Sequence, residues 1–476
     1  MIHKNFVGGK YLPARSHVEV RSPSDTRDLV GLYAQGDASD VDEAVREAEL
    51  AFQSWAHASI QFRSDVLHRA GEIVFRRRDE IAELLAREEG KVLADARAEV
   101  ERAGRIFRFF ASECLRSTGQ LVDSVRPGAT VEITREPLGV VGLITPWNFP
   151  IAIPVWKAAP ALAYGNCIVM KPAELTPACA WVLTEILQEA GCPPGVFNLV
   201  MGPGTVVGEA MLANPGISAV SFTGSERTGR RIAQRCVETL KKVQLEMGGK
   251  NPTVVMEDAD IDRSVAVCAN SAFFSTGQRC TATSRFVVVD RVHDAFVERF
   301  IAAAGELRVG HALSSDAQIG PVVSETQLKS NLAYVELARQ EGAEVVGGAR
   351  IELANPGFYQ APALFVGASN GMRISREEIF GPCASIIKVA DFDEAIAVAN
   401  DTAYGLSAGI CTESLRYANQ FKKLAKAGMV MVNLPTAGVD YHVPFGGRNA
   451  SSYGPREQGS HAIEFFTVVK TAYQAA

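Results

Sequence analysis

The chain has 476 residues, of which 47% are hydrophobic and 21% are charged, a balance that is ordinary for globular proteins. Its formal net charge of −6 at pH 7 predicts no basic surface for nucleic acid, and its apolar runs fall short of the roughly 18 residues of a membrane helix. At about 100–200 residues per domain, this length predicts two or three domains. The amino-terminal stretch MIHKNFVGGKYLPARS lacks the apolar segment of a signal peptide, so we expect a cytoplasmic protein.

Helical periodicity dominates the first part of the chain. Apolar residues at helical spacing over SDVDEAVREAELAFQSWA predict a helix that is capped by Ser39 or Asp40. Two further amphipathic runs, around residues 66–74 and 81–85, predict two more helices. VEITREP at 131–137 is instead typical of an extended strand outside the main core.

From residue 139 the pattern changes to short apolar strands that alternate with helices. The strands are predicted in GVVGLITP, NCIVMKPA, VFNLVMG, AVSFTGS and KKVQLEMGG. Of the helices between them, one is predicted to stop at Gly165 and another at Gly191. This alternation predicts a doubly wound parallel sheet, the architecture that holds dinucleotides at the carboxyl edge of its strands.

A second alternating series follows residue 250 and predicts a second α/β domain over roughly 250–445. Strands in PTVVME, SRFVVVD, EIFGPCASIIKV and AGMVMVN alternate with helices in IDRSVAVCANSAFF, VHDAFVERFIAAAG and FDEAIAVAND. The carboxyl-terminal stretch EFFTVVKTAY alternates like a strand, and we expect it to pair with the 119–137 segment in a separate sheet.

Two loops after predicted strands carry the residue types of a nucleotide site. In SFTGSERTG, Gly224 and Gly229 flank a strand-to-helix turn, where glycine lets a diphosphate approach the backbone and the helix N-terminus supplies N–H groups. In KPAE, Lys171 and Glu174 can reach a ribose, and the carboxylate would repel a 2′-phosphate. Taken singly, a plain turn and a solvated charged loop explain these motifs as well.

Three other residues are candidates for covalent chemistry. Cys280 lies in FFSTGQRCTATSR, Asn148 lies in TPWNFP, and Glu246 ends a predicted strand in LEMGGKNP. A thiol nucleophile, an amide that donates to an oxyanion and a carboxylate base together fit oxidation of an aldehyde through a thioester. Taken singly, these residues are also explained as a core thiol, an Asx turn and a surface acid.

Cysteine and histidine spacing predicts no metal site. The nine cysteines and eight histidines are scattered along the chain, and no CxxC pair occurs. The cysteine count is odd, so reduced thiols are expected rather than disulfides.

The ordered set of motifs is similar to that of the aldehyde dehydrogenase superfamily. TPWNFP, KPAELTP, SFTGS, LEMGGKNP, GQRCTA, EEIFGP and PFGG occur in that family's order and approximate spacing. The resemblance implies an α/β fold with a Rossmann-type NAD-binding domain over residues 1–118 and 138–248 and a catalytic domain over 249–448. It also implies a small oligomerisation sheet, made from residues 119–137 and 460–476, in a homodimer or homotetramer.

The same resemblance implies the catalytic roles. Cys280 would attack the aldehyde to give a thiohemiacetal, whose oxyanion is stabilised by the side-chain amide of Asn148 and the backbone N–H of Cys280. Hydride transfer to a nicotinamide would leave a thioester, which Glu246 helps to hydrolyse by activating water.

NAD is the cofactor that the resemblance implies. Some use of NADP is also expected, because Arg227 in the SFTGSERTG loop can meet a 2′-phosphate. Lys171 and Glu174 are expected at the adenosine ribose, Ser225 near the diphosphate, Glu378 at the nicotinamide ribose and Phe380 beside the nicotinamide ring. The full set of expected cofactor contacts is Trp147, Lys171, Glu174, Gly224, Ser225, Gly229, Glu378 and Phe380.

The Cys280 stretch and the carboxyl-terminal passage resemble the branch of α-ketoglutaric semialdehyde (2,5-dioxovalerate) dehydrogenases. Arg279, next to the nucleophile, is the candidate that would bind the substrate carboxylate, although it could equally tie its loop down. Succinic semialdehyde dehydrogenases are similar overall, but that branch is expected to carry an arginine where this chain has Trp156. A succinic or broad aliphatic semialdehyde is the alternative substrate.

Two rival functions are weighed against aldehyde oxidation to the acid. In CoA-acylating relatives CoA resolves the thioester and the base tends to be missing, whereas Glu246 is present here. A catalytically silent binding or structural relative would be expected to lack the thiol or the base, and this chain has both. The sequence therefore favours the hydrolytic dehydrogenase.

Overall fold

The computed structural model describes residues 2–13, 15–116 and 118–475. Its helices are α1 (Ala38–Trp55), α2 (Ile60–Arg76), α3 (Arg78–Glu89), α4 (Leu93–Glu113), α5 (Ala152–Ala163), α6 (Pro177–Glu189), α7 (Glu209–Ala213), α8 (Glu226–Glu238), α9 (Ile261–Phe273), α10 (Asp290–Gly305), α11 (Glu325–Gln340), α12 (Arg373–Arg376), α13 (Phe392–Asn400), α14 (Leu415–Leu424) and α15 (Ile463–Phe466). Within the described part of the chain, no helix is both long enough and apolar enough to cross a membrane.

Among the described residues, the strands lie in two large sheets and three small ones. They are β1 (Ile2–His3), β2 (Asn5–Val7), β3 (Lys10–Leu12), β4 (Ser16–Ser22), β5 (Asp25–Gln35), β6 (Gln120–Asp123), β7 (Ala129–Pro137), β8 (Val140–Ile144), β9 (Cys167–Lys171), β10 (Phe197–Leu199), β11 (Ile217–Thr223), β12 (Lys242–Glu246), β13 (Asn251–Val255), β14 (Thr283–Val289), β15 (Glu344–Gly347), β16 (Arg350–Ile351), β17 (Tyr359–Gln360), β18 (Ala363–Val366), β19 (Cys383–Val389), β20 (Ser407–Cys411), β21 (Met429–Val432), β22 (Ser452–Tyr453) and β23 (Thr467–Ala475).

The first parallel sheet has the strand order β22-β12-β11-β8-β9-β10-β2-β3. Its five central strands are parallel and are the five that the alternation after residue 139 predicts. Every residue of β8 and β9 is buried, as expected for strands covered by helices on both faces. The flanking strands β2, β3 and β22 pair antiparallel and were not predicted, because segments of two or three residues carry no measurable periodicity.

The helix predicted at residue 39 begins slightly earlier. Asp37 is its cap, since its side chain accepts from the backbone N–H groups of Ser39 at 2.8 Å and Asp40 at 3.3 Å. The backbone N–H of Asp37 in turn donates to the Asp40 carboxylate, which completes a capping box. The prediction of Ser39 or Asp40 as the cap was therefore wrong by two or three positions. The strands β4 and β5, which precede this helix, were also missed.

The second parallel sheet has the order β15-β18-β19-β14-β13-β20-β21, in which only β15 is antiparallel to its neighbour. Alternate residues of β14 belong to opposite cores, with Val287 and Val289 on one face and Phe286 and Val288 on the other. The predicted strands after residue 250 all lie in this sheet, whereas β15, β18 and β20 were not singled out from the sequence.

The carboxyl-terminal strand β23 pairs antiparallel with β7 over nine residues, from Thr467 opposite Pro137 to Ala475 opposite Ala129. Strand β6 pairs with the other side of β7, so residues of the 119–137 segment and the tail form the predicted separate sheet. We call it the small antiparallel sheet. The tail differs from the prediction at its start, because residues 464–466 belong to the short helix α15.

Candidate active site

Cys280 stands at the end of a loop with an unusual backbone, which we call the thiol loop and define as residues 274–282. Ser275, Thr276 and Gly277 have φ angles of 51°, 58° and 64°, all in the left-handed region. Such a run is costly for residues other than glycine and persists only when surrounding contacts enforce it. A side chain at Gly277 would overlap the backbone carbonyl of Gly381, so this position requires glycine for space as well as for φ.

Hydrogen bonds to distant elements hold the thiol loop in this shape. The Ser275 hydroxyl donates to Asp95 Oδ2 at 3.0 Å, and the Thr276 hydroxyl donates to the carbonyl of Gly320 at 3.1 Å. The side chain of Asn251 donates from Nδ2 to the carbonyl of Cys280 at 2.8 Å. The loop is therefore fixed from three directions, which determines the position of the thiol.

The Cys280 side chain lies where two cavities meet. One cavity, of about 230 Å³, lies against α4, and we call it the α4 cavity. The other, of about 190 Å³, lies at the N-terminus of α8, and we call it the α8 cavity. Cys280 and Ile153 line both of them. A thiol in this position can contact two different small molecules at once.

The α8 cavity brings together most of the side chains predicted to bind a cofactor. Trp147 and Phe380 form one wall, with ring centroids 5.3 Å apart and ring planes at 87°. Phe380 has a φ of 59°, so the backbone is strained on this wall too. The predicted site residues that line this cavity are Trp147, Asn148, Gly224, Ser225, Cys280, Glu378 and Phe380.

The polar groups of the α8 cavity fit a cofactor with hydroxyl and diphosphate groups. Ser225 caps α8, so the backbone N–H groups of that helix start at the cavity and favour an anion. Thr223 Oγ1 is buried and has no hydrogen-bond partner among the described residues. A buried hydroxyl without a partner costs free energy unless a bound molecule supplies one.

Glu378 faces the α8 cavity and is held by the backbone. The N–H of Gly249 donates to its Oε1 at 2.9 Å, and a side chain at Gly248 would overlap its carboxylate. Burial raises the pKa of Glu378 to about 7, opposed by the Gly249 N–H and by Lys250. The carboxylate is placed to accept from a hydroxyl-bearing ligand.

Three predicted cofactor residues do not line the α8 cavity. Lys171 ends β9, where its Nζ donates to the carbonyl of Pro172 at 2.7 Å, and burial lowers its pKa to about 8. Glu174 accepts from the N–H of Gly204 at 2.8 Å, and a side chain at Gly204 would lie close to both residues. Because β9 is next to β8 in the sheet, this pair lies further along the same carboxyl edge.

Gly229 is a packing position rather than part of the cavity wall. It lies in the first turns of α8, where its N–H donates to the carbonyl of Ser225. A side chain at this position would overlap Met247. The glycine therefore lets α8 approach the loop that follows β12, and the expectation of a direct cofactor contact at Gly229 finds no support in the cavity lining.

Asn148 places its amide beside the thiol loop. Its side chain is 4% exposed, and Nδ2 donates to the carbonyl of Gln278 at 2.9 Å. A side-chain amide carries two N–H donors, so one remains for a developing oxyanion. The sequence did not single out the partners that hold this loop, Lys91 and Glu99.

Lys91 and Glu99 form a buried ion pair behind the Asn148 loop. Lys91 Nζ lies 2.6 Å from Glu99 Oε2 and also donates to the carbonyl of Asn148 at 2.7 Å. Glu99 Oε1 accepts from the N–H groups of Ile151 and Ala152, which start α5. The pair thereby joins α4 to the loop that carries the amide.

Glu246 ends β12 and is turned toward a buried polar network. It is 2% exposed, and the Ser452 hydroxyl donates to its Oε2 at 2.6 Å. Burial raises the pKa of Glu246 well above its usual range, and the nearby Glu457 carboxylate raises it further. The carboxylate lines neither cavity, although it interacts electrostatically with Cys280.

The network behind Glu246 is made by residues far apart in sequence. Lys157 Nζ is paired with Glu457 Oε1 and donates to the Ser221 hydroxyl at 2.8 Å. The Ser221 hydroxyl in turn donates to Gln244 Oε1 at 2.8 Å. Sequence reasoning missed these residues, because Lys157 and Glu457 lie 300 positions apart and neither belongs to a motif.

Burial also governs the nucleophile candidate. It raises the pKa of the Cys280 thiol to about 12, with Glu378 and Glu246 adding to the rise and the backbone N–H groups of residues 280 and 281 opposing it. At pH 7 the side chain is accordingly a neutral thiol. A cation bound in either cavity would favour the thiolate.

Arg279 anchors its loop and also lies in the wall of a cavity. Its guanidinium donates to the carbonyls of Asn270 and Ser271, the second at 3.2 Å, which ties the thiol loop to the end of α9. The same side chain lines the α4 cavity beside Cys280. Its Nε is buried without a partner among the described residues.

The fold and the arrangement of the thiol, the amide and the buried carboxylate define a known class of protein. The chain belongs to the aldehyde dehydrogenase family, which its residues 11–472 match. The resemblance inferred from the motifs and the expected fold are thereby confirmed.

Individual relatives are similar over nearly the whole chain. An alpha-ketoglutaric semialdehyde dehydrogenase from Bacillus subtilis is 42% identical over 474 residues, which cover 98% of this chain and 97% of that protein. A 2,5-dioxopentanoate dehydrogenase from Saccharolobus solfataricus is 38% identical over 456 residues, or 95% of each chain.

Solved structures agree with this fold. An NAD-dependent aldehyde dehydrogenase from Sinorhizobium meliloti has a TM-score of 0.97 at 33% identity, covering 100% of this chain and 95% of that one. A betaine aldehyde dehydrogenase from Staphylococcus aureus, solved in complex with NAD⁺, has a TM-score of 0.97 at 30% identity, covering 99% and 95%.

Proposed function

We propose that this protein is an NAD-dependent dehydrogenase that oxidises α-ketoglutaric semialdehyde (2,5-dioxovalerate) to 2-oxoglutarate. The observation that carries the proposal is the position of Cys280 between two cavities. The α8 cavity would hold the nicotinamide end of NAD, and the α4 cavity would hold the aldehyde. The names of the similar Bacillus and Saccharolobus enzymes support the substrate.

Each catalytic residue has one task in the proposed reaction. Cys280 loses its thiol proton to solvent, and Sγ forms a bond to the aldehyde carbon. The free Nδ2–H of Asn148 and the backbone N–H of Cys280 stabilise the resulting oxyanion. The hydrogen of that carbon then leaves with its electron pair, which oxidises the carbon to a thioester. NAD, when bound, supplies the chemistry of accepting this hydride.

Hydrolysis completes the proposed cycle. Water attacks the thioester carbon while Glu246 takes a proton from the water. The C–S bond then breaks, the carboxylic acid leaves, and Glu246 returns the proton to Sγ, which restores the thiol. Glu246 would reach the water by turning away from Ser452 toward Cys280. A base is required here, and Glu246 supports hydrolysis rather than transfer to CoA.

NAD is proposed as the preferred cofactor, with some use of NADP. The Glu174 carboxylate favours a ribose that carries no 2′-phosphate, as in NAD. Glu174 and Lys171 lie beyond the α8 cavity along the same sheet edge. Arg227 is exposed in the first turn of α8, where it can meet a 2′-phosphate. Glu174 therefore favours NAD, whereas Arg227 favours NADP.

The proposed roles of the domains correspond to the sheets of the fold. Residues 1–118 and 138–248, which carry most of the first parallel sheet, would bind the cofactor, and residues 249–448 would carry the nucleophile. Residues 119–137 and 460–476 would join subunits of a cytoplasmic homodimer or homotetramer through the small antiparallel sheet.

A direct test is the absorbance of NADH after the protein is mixed with NAD and a panel of aldehydes. We expect turnover with 2,5-dioxovalerate, with a higher kcat/KM than for succinic or glutaric semialdehyde. Cys280→Ala should bind NAD as the wild type does and produce no NADH, because the nucleophile is gone. Cys236→Ala, which removes a buried thiol outside both cavities, is the control.

Two results would contradict the proposal. A wild-type protein that binds NAD and oxidises none of the aldehydes would support a silent relative instead. Succinic semialdehyde as the best substrate would favour the alternative specificity, which the overall similarity of the two enzyme groups supports.

A further inference from the structure

Two arginines in the wall of the α4 cavity have guanidinium donors without protein partners. Arg102 comes from α4 and Arg279 from the thiol loop, and both line the cavity that contains Cys280. The Nε of each is buried and has no hydrogen-bond partner among the described residues. A buried charged donor that lacks a partner is destabilising, so its retention points to a ligand that supplies one.

Arg102 is held in position from two sides. Its guanidinium lies over the Trp156 ring of α5, with the central carbon 5.7 Å from the ring centroid. Its terminal nitrogen donates to Gln458 Oε1 at 3.2 Å. Burial lowers the pKa of Arg102, because desolvation disfavours the charged guanidinium. A planar donor group fixed in this way loses little freedom when it binds a planar acceptor.

The other charges around the cavity leave these two cations incompletely compensated. Glu99 is the main negative charge acting on Arg102, but its carboxylate is already paired with Lys91. Asp95 also lines the cavity, and its negative charge acts on Arg279, so this cation is only partly compensated. Asp440, which interacts electrostatically with Arg102, is exposed to solvent and therefore screened.

The rest of the wall suits a short hydrocarbon chain. Between Cys280 and the arginines the lining is largely apolar, and it includes aromatic and aliphatic side chains from α5, the preceding loop and the stretch after β21. These are Phe149, Ile153, Trp156, Val439 and Phe445. Methylene groups would pack against this surface while charged ends would not.

We propose that Arg102 and Arg279 together bind the carboxylate at the end of the substrate distant from the aldehyde. The inference rests on the proposed function and extends it, because it assigns the substrate class to aldehydes with a carboxylate a few carbons away. Arg102, which no motif indicates, is the main specificity residue. Arg279 contributes positive charge beside Cys280 while its terminal nitrogen continues to hold the thiol loop.

The test compares charged and uncharged aldehydes in one variant. Arg102→Met keeps most of the side-chain volume and removes the charge. KM for 2,5-dioxovalerate and succinic semialdehyde should rise about 10- to 100-fold, as expected for loss of a hydrogen bond between charged groups. The kcat for these substrates should change by less than about threefold, and the kinetics with pentanal, which has no carboxylate, should not worsen.

Arg105→Met is the matched control. Arg105 lies one turn further along α4, is exposed and pairs with Glu101, so its loss should leave all three KM values unchanged. Arg102→Gln serves as a second variant if Arg102→Met does not fold, since it retains a polar group beside Gln458.

Failure of this inference differs from failure of the proposed function. If Arg102→Met or Arg102→Gln affects pentanal as strongly as the carboxylated aldehydes, Arg102 has only a structural role and the inference is wrong. Unchanged KM values for the carboxylated aldehydes would overturn it as well. If the wild type oxidises none of the three aldehydes, it is the proposed dehydrogenase function that fails.

Discussion

Removal from water is the leading cause of the pKa shifts of the ionisable side chains around the proposed reaction centre. It raises the pKa of Cys280 to about 12 and that of Glu378 to about 7, and it lowers the pKa of Arg279 to about 10. All three shifts favour the neutral form, as expected for desolvation. A neutral thiol is a poor nucleophile, so Cys280 becomes more reactive when bound groups favour its thiolate.

At the residue scale, Glu246→Gln tests the separation of the two chemical steps. Because glutamine cannot accept a proton from water, hydrolysis should become slow while the acylation step remains. Rapid mixing with NAD and 2,5-dioxovalerate should then give a burst of NADH close to the number of active sites, followed by slow turnover. Glu238→Gln, at the exposed end of α8, should behave like the wild type. Loss of the burst together with turnover would assign Glu246 to an earlier step.

At the scale of the element, the thiol loop shows how a strained backbone positions a reactive group. Its three left-handed residues are enforced by contacts to Asp95, Gly320 and Gly381, which belong to other parts of the chain. The loop precedes β14 and is anchored by Arg279 at the end of α9. The free energy of these contacts offsets the strain, and a small displacement of the loop would move the thiol away from the Asn148 amide.

Gly277→Ala tests this positioning. Both the left-handed φ of 64° and the overlap with Gly381 should destabilise this variant. Gly342→Ala is the control, because Gly342 has a left-handed φ of 89° but lies in open space, so only backbone strain should destabilise it. We expect Gly342→Ala to lower the free energy of unfolding by about 1–2 kcal/mol. Gly277→Ala should lower it more and should also reduce kcat by roughly 10- to 100-fold, because the nucleophile is displaced. Equal destabilisation of the two variants, with kcat unchanged, would contradict this account. Urea unfolding and steady-state kinetics are the measurements.

At the scale of the whole molecule, the small antiparallel sheet leaves apolar side chains exposed to solvent in the single chain. Its outer strands β6 and β23 expose apolar side chains, with Leu121 77% and Val469 56% accessible. Strand edges with apolar side chains tend to pair with another chain. This agrees with the proposed oligomer, in which these strands would be covered.

Val469→Asp should therefore weaken the assembly. We expect light scattering after size exclusion to show a dimer or tetramer for the wild type and a shift toward the monomer for the variant, because a carboxylate would be buried without a partner. Val237→Asp changes an exposed valine at the end of α8 and should leave the mass unchanged. A wild-type monomer at micromolar concentration would rule out this role for the sheet.

The sequence by itself determined the α/β class, the parallel strands of the first sheet and the short motifs that follow them. Asn148 and Glu246 could be singled out because motifs at the carboxyl ends of strands converge on one edge of a sheet. Glu378, which precedes β19, was indicated only by the resemblance of EEIFGP to the family motif. Periodicity also located α1, α2 and α3, since each is amphipathic and long enough to repeat its pattern, but α4 was not predicted. The antiparallel additions β2, β3 and β22 were too short to leave such a signal.

Only the tertiary structure decided which side chains meet around the motifs. Lys157 and Glu457 are 300 residues apart and form one buried pair, and Arg102 reaches the α4 cavity only because α4 packs against α5. Neither contact has a local pattern, because a pairing between distant segments depends on how helices and sheets pack and not on the residues beside each partner. Gly229 illustrates the same point, since only the fold shows that it packs against Met247 and lies outside the lining of the α8 cavity.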